Sequence, residues 1–134
     1  MRFFNNLPWI GLGGFMILHG FAHSPAILGS WNLLSIDDVS RQPNFLLTNV
    51  SEGTLYVLGG IWFLAALSFV IAGIGVLRKA FWWPMMTAIA LVLSFSMTIL
   101  WRQDAAIGLV LNGGFMAVLM AMYLMGQLEE RKFA

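Results

Sequence analysis

The chain alternates between long apolar segments and shorter polar connections. Four apolar segments run approximately over residues 7–28, 55–77, 81–100 and 105–126, and each is almost free of charged side chains. An α-helix needs about 20 residues to cross about 30 Å of hydrocarbon, so each segment is long enough to span a bilayer. Because lipid cannot satisfy backbone polar groups, such a segment is expected to be helical. The pattern predicts an all-α integral membrane four-helix bundle.

The connections between these predicted helices differ in length. Arg78-Lys79 and residues 101–104 are short enough for tight turns, whereas residues 31–54 form a long loop that includes Asp37 and Asp38. The centre of the loop, residues 45–47, is apolar enough to lie in the membrane interface or to fold over the mouth of the bundle. No shift in composition divides the chain, so we expect a single membrane domain over residues 1–134.

Composition and charge support a membrane location. Hydrophobic residues make up 60% of the chain and charged residues only 10%, whereas a soluble domain has about 25% charged residues. The net charge of +1 gives no indication of a nucleic-acid partner. The chain has no cysteine, which excludes disulfides and thiolate metal sites.

Basic residues are unequally divided between the two ends of the predicted bundle. One end has Arg41 and Arg102. The other end has Arg2, Arg78, Lys79, Arg131 and Lys132. Cytoplasmic connections of membrane proteins carry an excess of Lys and Arg. This bias predicts that both termini are cytoplasmic and that the 31–54 loop faces outward.

Glycines and hydroxyl residues within the apolar segments have ordinary structural interpretations. Glycines let helices approach closely in lipid, where small residues are a main source of association. Those on the first, second and fourth predicted helices are Gly11, Gly13, Gly14, Gly20, Gly59, Gly60, Gly108, Gly113 and Gly114. Ser94, Ser96 and Thr98 are expected to satisfy backbone carbonyls of their own helix.

The two histidines of the chain, His19 and His23, lie four residues apart on the first predicted helix. This spacing puts both side chains on one helix face. A rise of about 1.5 Å per residue places His19 near the middle of the membrane and His23 in its outer half. Ionisable groups at such depths are costly and usually face the interior of a bundle. We therefore expect both imidazoles to face other helices.

The fourth predicted helix offers a matching polar face. Asp104, Gly108 and Asn112 follow at intervals of four residues and so line one side of this helix. Counted by helical rise, Asn112 lies level with His19. We expect Asn112 to hydrogen-bond His19, with Asp104 capping a polar pocket near the outer mouth.

Three interpretations of these polar residues are open from the sequence. The histidines and Asn112 could serve only as hydrogen-bond glue between helices, worth about 0.6 kcal/mol per contact on average. They could instead line a ligand pocket. They could also bind a metal ion, because His19 and His23 have a spacing that supplies two ligands in zinc sites. Only Asp104 offers an obvious third metal ligand.

Short motifs in the chain resemble those of DoxX-like proteins, which are small bacterial four-helix membrane proteins. The matching pieces are His19-Gly20-x-x-His23, the run from Gly60 to Ala66, and Trp101-x-x-Asp104-Ala105-x-x-Gly108-x-x-x-Asn112. The resemblance covers nearly the whole chain and implies a multi-pass bundle in the bacterial plasma (inner) membrane. DoxX-like relatives are linked to quinone-coupled respiratory subunits, so the resemblance also implies a redox-accessory role as one option.

The leading functional hypothesis from the sequence is an outward-facing pocket that binds a small amphipathic molecule such as a lipid or a quinone. In this hypothesis His19 and Asn112 hydrogen-bond the polar head, His23 and Asp104 line the mouth, and Trp101 is an apolar neighbour. One alternative is an accessory subunit of a larger membrane complex without its own chemistry. Another is a small transporter that works only as an oligomer. An enzyme is disfavoured because no acid, base and nucleophile come together, and the sequence identifies no cofactor.

Overall fold

The structure is a computed structural model that describes residues 2–35 and 40–132, and these residues form helices joined by turns and one loop. The helices are α1 (Arg2–Phe21), α2 (Ser24–Ser30), α3 (Glu52–Leu77), α4 (Trp83–Leu100) and α5 (Ala106–Lys132). No strand occurs in the described ranges. With α1 and α2 counted as one broken helix, the predicted all-α four-helix architecture is confirmed. Residues 36–39, which include Asp37 and Asp38 of the predicted loop, lie outside the described residues.

Three helical spans are long and apolar enough to cross a membrane. They are Leu7–Ser30, Glu52–Leu77 and Trp83–Leu100. Large apolar side chains on these spans face away from the bundle, for example Leu18, which is 70% exposed. Such surfaces are typical of helices surrounded by lipid. The apolar described part of α5, Ala106–Ala121, is shorter, so a fourth crossing stays a prediction.

The first span is broken near its C-terminal end, whereas the sequence predicts one helix over residues 7–28. Pro25 has no backbone N–H and therefore leaves the carbonyl of Phe21 without its helical donor. The Ser24 hydroxyl donates to this carbonyl instead, at 2.7 Å. His23 lies in the break, as the residue that precedes α2. The rings of His19 and His23 still lie side by side, with centroids 5.1 Å apart.

Helices α1 and α3 meet along a seam of small residues, which we call the α1–α3 seam. A Cβ atom on Gly73 would lie 2.7 Å from the carbonyl oxygen of Gly13, and one on Gly20 would lie 2.7 Å from that of Ala66. These distances leave no room for a side chain, so the two backbones touch. Other glycines of the predicted packing set have nothing within 4 Å of such a Cβ atom: Gly11, Gly14, Gly60, Gly113 and Gly114.

The opposite side of α1 faces α5 across a looser boundary, the α1–α5 seam. The helices are arranged so that α3 packs against α1, α2 and α4, while α5 packs mainly against α4. Side chains bridge the remaining gap between α1 and α5. The rings of Phe15 and Phe115 stack with centroids 5.3 Å apart. Polar side chains of the two helices meet on the side of these rings that is nearer the loop. This seam contains the candidate site.

The loop before α3 folds over the turn between α4 and α5. The backbone N–H of Phe45 donates to the Leu100 carbonyl at 3.1 Å, and the indole of Trp101 donates to the Ser40 carbonyl at 2.9 Å. The guanidinium of Arg102 lies 4.2 Å from the centre of the Phe45 ring. The sequence predicts that the loop centre either lies in the membrane interface or folds over the mouth of the bundle. Phe45 does the second.

An ion pair ties the same loop to the start of α3. The guanidinium of Arg41 donates to both carboxylate oxygens of Glu52, at 2.7 and 2.5 Å, and its Nε donates to the carbonyl of Gly29 in α2. Hydrogen bonding to Glu52 raises the pKa of Arg41. Ser51 caps α3 by accepting from the backbone N–H of Thr54 at 3.2 Å. The mouth of the bundle is thus held by defined polar contacts.

Candidate functional site

Both histidines are buried inside the bundle, as predicted. His19 and His23 are each only 6% exposed. The ring of Phe69 on α3 packs edge-on against both imidazoles, with centroids 4.6 Å from His19 and 5.7 Å from His23. Trp62, which lies closer to the start of α3, packs edge-on against His23 at 5.1 Å. Aromatic rings of α3 therefore hold the imidazoles toward α4 and α5.

The predicted contact between the first and last helices is confirmed. Nε2 of His19 lies 3.1 Å from Oδ1 of Asn112. The amide nitrogen of Asn112 donates to the hydroxyl of Ser94 at 2.8 Å and makes a longer contact of 3.5 Å with that of Thr98. Asn112 has no exposed surface. Asn112 is not among the residues that line the cavity beside the histidines, and its amide is used in contacts inside the bundle. That it also touches the polar head of a ligand stays a prediction.

Ser94 completes this network, in a role that differs from the one predicted for it. Its hydroxyl lies 2.9 Å from Nε2 of His23, and it is completely buried. The predicted bond to a carbonyl of its own helix is correct for Ser96 and Thr98, which donate to the carbonyls of Val92 and Phe95. Ser94 differs because it faces the bundle interior. Ser96 lies only two residues away and at nearly the same depth, so the sequence alone does not identify Ser94 as the residue that faces the histidines.

A cavity of about 280 Å³ lies beside the two histidines, at the end of the α1–α5 seam that is nearer the loop. Its wall is mostly apolar, and Asp104 is the one charged residue among those that line it. Both histidines belong to the wall, together with Trp62, Trp101, Asp104 and Gly108. Apolar walls with a few polar groups are typical of small-molecule sites.

Trp101 and Asp104 both line the cavity, and each uses a polar side-chain atom to bond the loop. Trp101 is 3% exposed and uses its indole N–H for the Ser40 carbonyl. Oδ2 of Asp104 accepts from the backbone N–H of Ser40 at 3.0 Å and from the amide of Asn44 at 3.3 Å. These two predicted site residues therefore shape the mouth of the cavity and fix the loop above it.

Trp62 is a wall residue that the predicted site does not include. Its indole Nε1 is the one buried side-chain nitrogen or oxygen without a hydrogen-bond partner in the described part of the chain. A buried donor without an acceptor costs about 1–3 kcal/mol. The other tryptophans lie near the ends of the apolar segments, whereas Trp62 lies within α3. This displacement from the usual interfacial position is the signal that could have identified it.

The described residues contain no complete set of ligands for a metal ion. No group of three or more His, Cys, Asp or Glu residues lies close enough there to hold an ion. Nε2 of both His19 and His23 is used in the network. Asp104, the predicted third ligand, is bonded to the loop.

Comparison with other proteins does not assign the chain to a family. No protein-family model, no curated protein and no solved structure matches it. The resemblance of the three short motifs to DoxX-like proteins therefore stays a prediction, and the cavity with its hydrogen-bond network is the feature that bears on function.

Proposed function

We propose that this membrane protein binds a small amphipathic molecule of lipid or quinone type in the cavity beside His19 and His23. The observation that carries the proposal is a cavity of about 280 Å³ whose apolar wall contains two buried imidazoles. The apolar wall suits an acyl or isoprenoid chain, and the imidazoles suit a polar head. A bundle in lipid is a setting where such molecules are abundant.

The cavity wall contains more hydrogen-bonding groups than the contacts between helices use. Buried polar groups in proteins are nearly always hydrogen-bonded. Here Nε2 of each imidazole is paired, whereas Nδ1 of each makes no hydrogen bond to the described part of the chain and is not among its enclosed unpaired atoms. A bound head group could hydrogen-bond these nitrogens. Contacts between the helices use only the Nε2 atoms.

The cavity is proposed to open toward the outer side of a bacterial inner membrane, with both termini in the cytoplasm. In support, Arg41 and Arg102 lie at the end of the bundle that carries the loop and the cavity mouth. Lys79 lies at the other end, 5.7 Å from the Trp9 ring, next to Arg78. Together with the remaining basic residues of the sequence, this division follows the excess of positive charge on cytoplasmic sides.

The proposal is tested by the leucine variants His19→Leu and His23→Leu. The protein is extracted from its native membrane, and bound lipid or quinone is measured by native mass spectrometry. We expect both variants to lose at least about 90% of the bound amphiphile, because a polar head then meets an apolar side chain at about the cost of an unmade hydrogen bond. Leu18→Ala, on the lipid-facing side of α1, is the matched control and should retain it.

One further variant and one outcome decide the proposal. His23→Gln keeps a polar group that can reach Ser94, so it separates loss of the imidazole from loss of the fold. Unchanged retention in both leucine variants, with the helical content intact, would overturn the binding proposal. That result would favour the accessory-subunit alternative, in which His19 and Asn112 serve only to set the packing of the helices.

A further inference from the structure

The hydrogen bonds around Asn112 determine which nitrogen of His19 carries a proton. The hydroxyl of Thr98 donates to the Phe95 carbonyl at 3.0 Å, so toward Asn112 it can only accept. The amide nitrogen of Asn112 therefore faces Thr98 and Ser94, and its oxygen faces His19. An amide oxygen only accepts, which requires a proton on Nε2 of His19. In a neutral ring, Nδ1 is then an acceptor.

The Ser94 hydroxyl determines the state of His23 by the same reasoning. This hydroxyl accepts from the amide nitrogen of Asn112. Unlike Ser96, which donates to Val92, it donates to no backbone carbonyl among the described residues. Its proton therefore has one available acceptor, Nε2 of His23, at 2.9 Å. In a neutral ring, His23 then carries its proton on Nδ1.

The two Nδ1 atoms are the polar groups that the histidines leave for a bound molecule. Neither makes a hydrogen bond to the described part of the chain, and neither belongs to the buried unpaired atoms, among which only Trp62 Nε1 appears. Both imidazoles line the cavity. The cavity therefore offers an acceptor from His19 and a donor from His23.

We propose that the network holds His19 and His23 in opposite tautomers, so that the cavity selects a neutral amphiphile with a hydroxyl group in its head. This inference rests on the proposed function. A hydroxyl both donates and accepts, so it can donate to Nδ1 of His19 and accept from Nδ1–H of His23. A quinone or an ether only accepts, and it leaves His19 without a donor.

The charge of the wall limits the head group further. The residues that line the cavity include Asp104 and neither Lys nor Arg. A phosphate or carboxylate head would lose its hydration and meet a carboxylate in place of a countercharge. Neutral hydroxyl-bearing heads remain, and they have two common membrane sources, quinols and acylglycerols.

The tautomers are measured directly by nitrogen NMR of the full chain, labelled with ¹⁵N-histidine, in a detergent whose head has no hydroxyl group. The chain has only two histidines, and His19→Leu assigns them. We expect the proton of His19 on Nε2 and that of His23 on Nδ1. In Ser94→Ala we expect His23 to lose its preference while His19 keeps its own. Ser96→Ala is the control and should change neither.

Identical tautomers in the two rings, or a His23 signal that Ser94→Ala leaves unchanged, would overturn the inference. This result does not depend on any ligand, so it is separable from a failure of the proposed function.

Selection is measured with two matched pairs of probes in the same detergent. One pair is a short-chain ubiquinol and the corresponding ubiquinone, and the other is a monoacylglycerol and its dimethyl ether. We expect the hydroxyl-bearing member of at least one pair to bind at least about tenfold more tightly, and the pair that binds identifies the source. We expect Ser94→Ala to reduce this ratio, because His23 then no longer presents a fixed donor.

Equal affinity for the two members in every pair that binds would overturn the selection. Failure of all four probes to bind would overturn both the proposed function and the selection. The tautomers of His19 and His23 would still be decided by the NMR measurement, which needs no ligand.

Discussion

The two sides of α1 are held in different ways. On the α1–α3 seam, Gly13 and Gly73 bring the backbones into contact, and no side chain fits between them. On the α1–α5 seam, His19 reaches Asn112 through a hydrogen bond of 3.1 Å, and a cavity lies beside the contact. Small residues close the boundary at the level of Gly13 and Gly73, although a second cavity of about 280 Å³, with an almost wholly apolar lining, lies further along the same seam beside Gly20 and Ala66. On the other side of α1, long polar side chains hold two helices at a distance and leave a space that contains polar groups.

This difference predicts where stability and binding reside. Backbone contact along the α1–α3 seam brings many atoms to van der Waals distance, and their dispersion energies add up. Polar contacts between membrane helices average only about 0.6 kcal/mol. We therefore expect changes on the α1–α3 seam to affect folding most, and changes on the α1–α5 seam to affect mainly the cavity.

The largest effect is expected from Gly73→Leu. Its Cβ atom would lie 2.7 Å from both the Gly13 oxygen and Cγ1 of Ile17, so α1 must move away from α3. We expect a loss of about 3 kcal/mol in the free energy of unfolding, measured by denaturant titration in detergent. Gly60→Leu, on the same helix but with nothing within 4 Å of its Cβ atom, is the control. Equal losses in the two variants would contradict the contrast between closed and open positions.

An intermediate effect is expected from the polar bridge of the α1–α5 seam. A double-mutant cycle of His19→Leu and Asn112→Leu should give a coupling energy of about 1 kcal/mol in the free energy of unfolding. The matched cycle of His19→Leu with Ser96→Ala should be additive, because Ser96 bonds only to its own helix. Coupling in the second cycle as large as in the first would show that the bridge is not specific.

The smallest effect is expected at the cavity mouth, in Asp104→Asn. The carboxylate accepts from the Ser40 N–H and from Asn44, and its replacement weakens both bonds by up to about 1 kcal/mol in total, because the site is exposed. Hydrogen exchange at the Ser40 amide should accelerate by up to about fivefold, with the α1–α3 seam unaffected. Slow exchange that persists in the variant would mean that other contacts hold the loop.

The helices could be predicted from the sequence because lipid imposes a length and excludes charge. The predicted segment over residues 81–100 agrees within two residues with α4, Trp83–Leu100. The contact between His19 and Asn112 was also predictable, since helical rise fixes the depth of each residue. The sequence of a membrane protein therefore predicts well how deep each residue lies in the bilayer.

Rotation about the helix axis and the order of neighbouring helices are specified poorly. Ser94, Ser96 and Thr98 look alike in the sequence, yet only Ser94 faces both His23 and Asn112. The break before α2 depends on how Ser24 compensates for Pro25, which depth does not reveal. These features depend on packing, and the sequence pattern does not determine them.

The two imidazoles that line the cavity have a practical consequence for handling the protein. Any amphiphile that hydrogen-bonds them there raises the melting temperature, because it binds the folded state. Sugar-headed detergents are themselves neutral, hydroxyl-bearing amphiphiles. A melting temperature measured in them would report the protein together with its solubilising agent, so the choice of detergent determines which species is being purified.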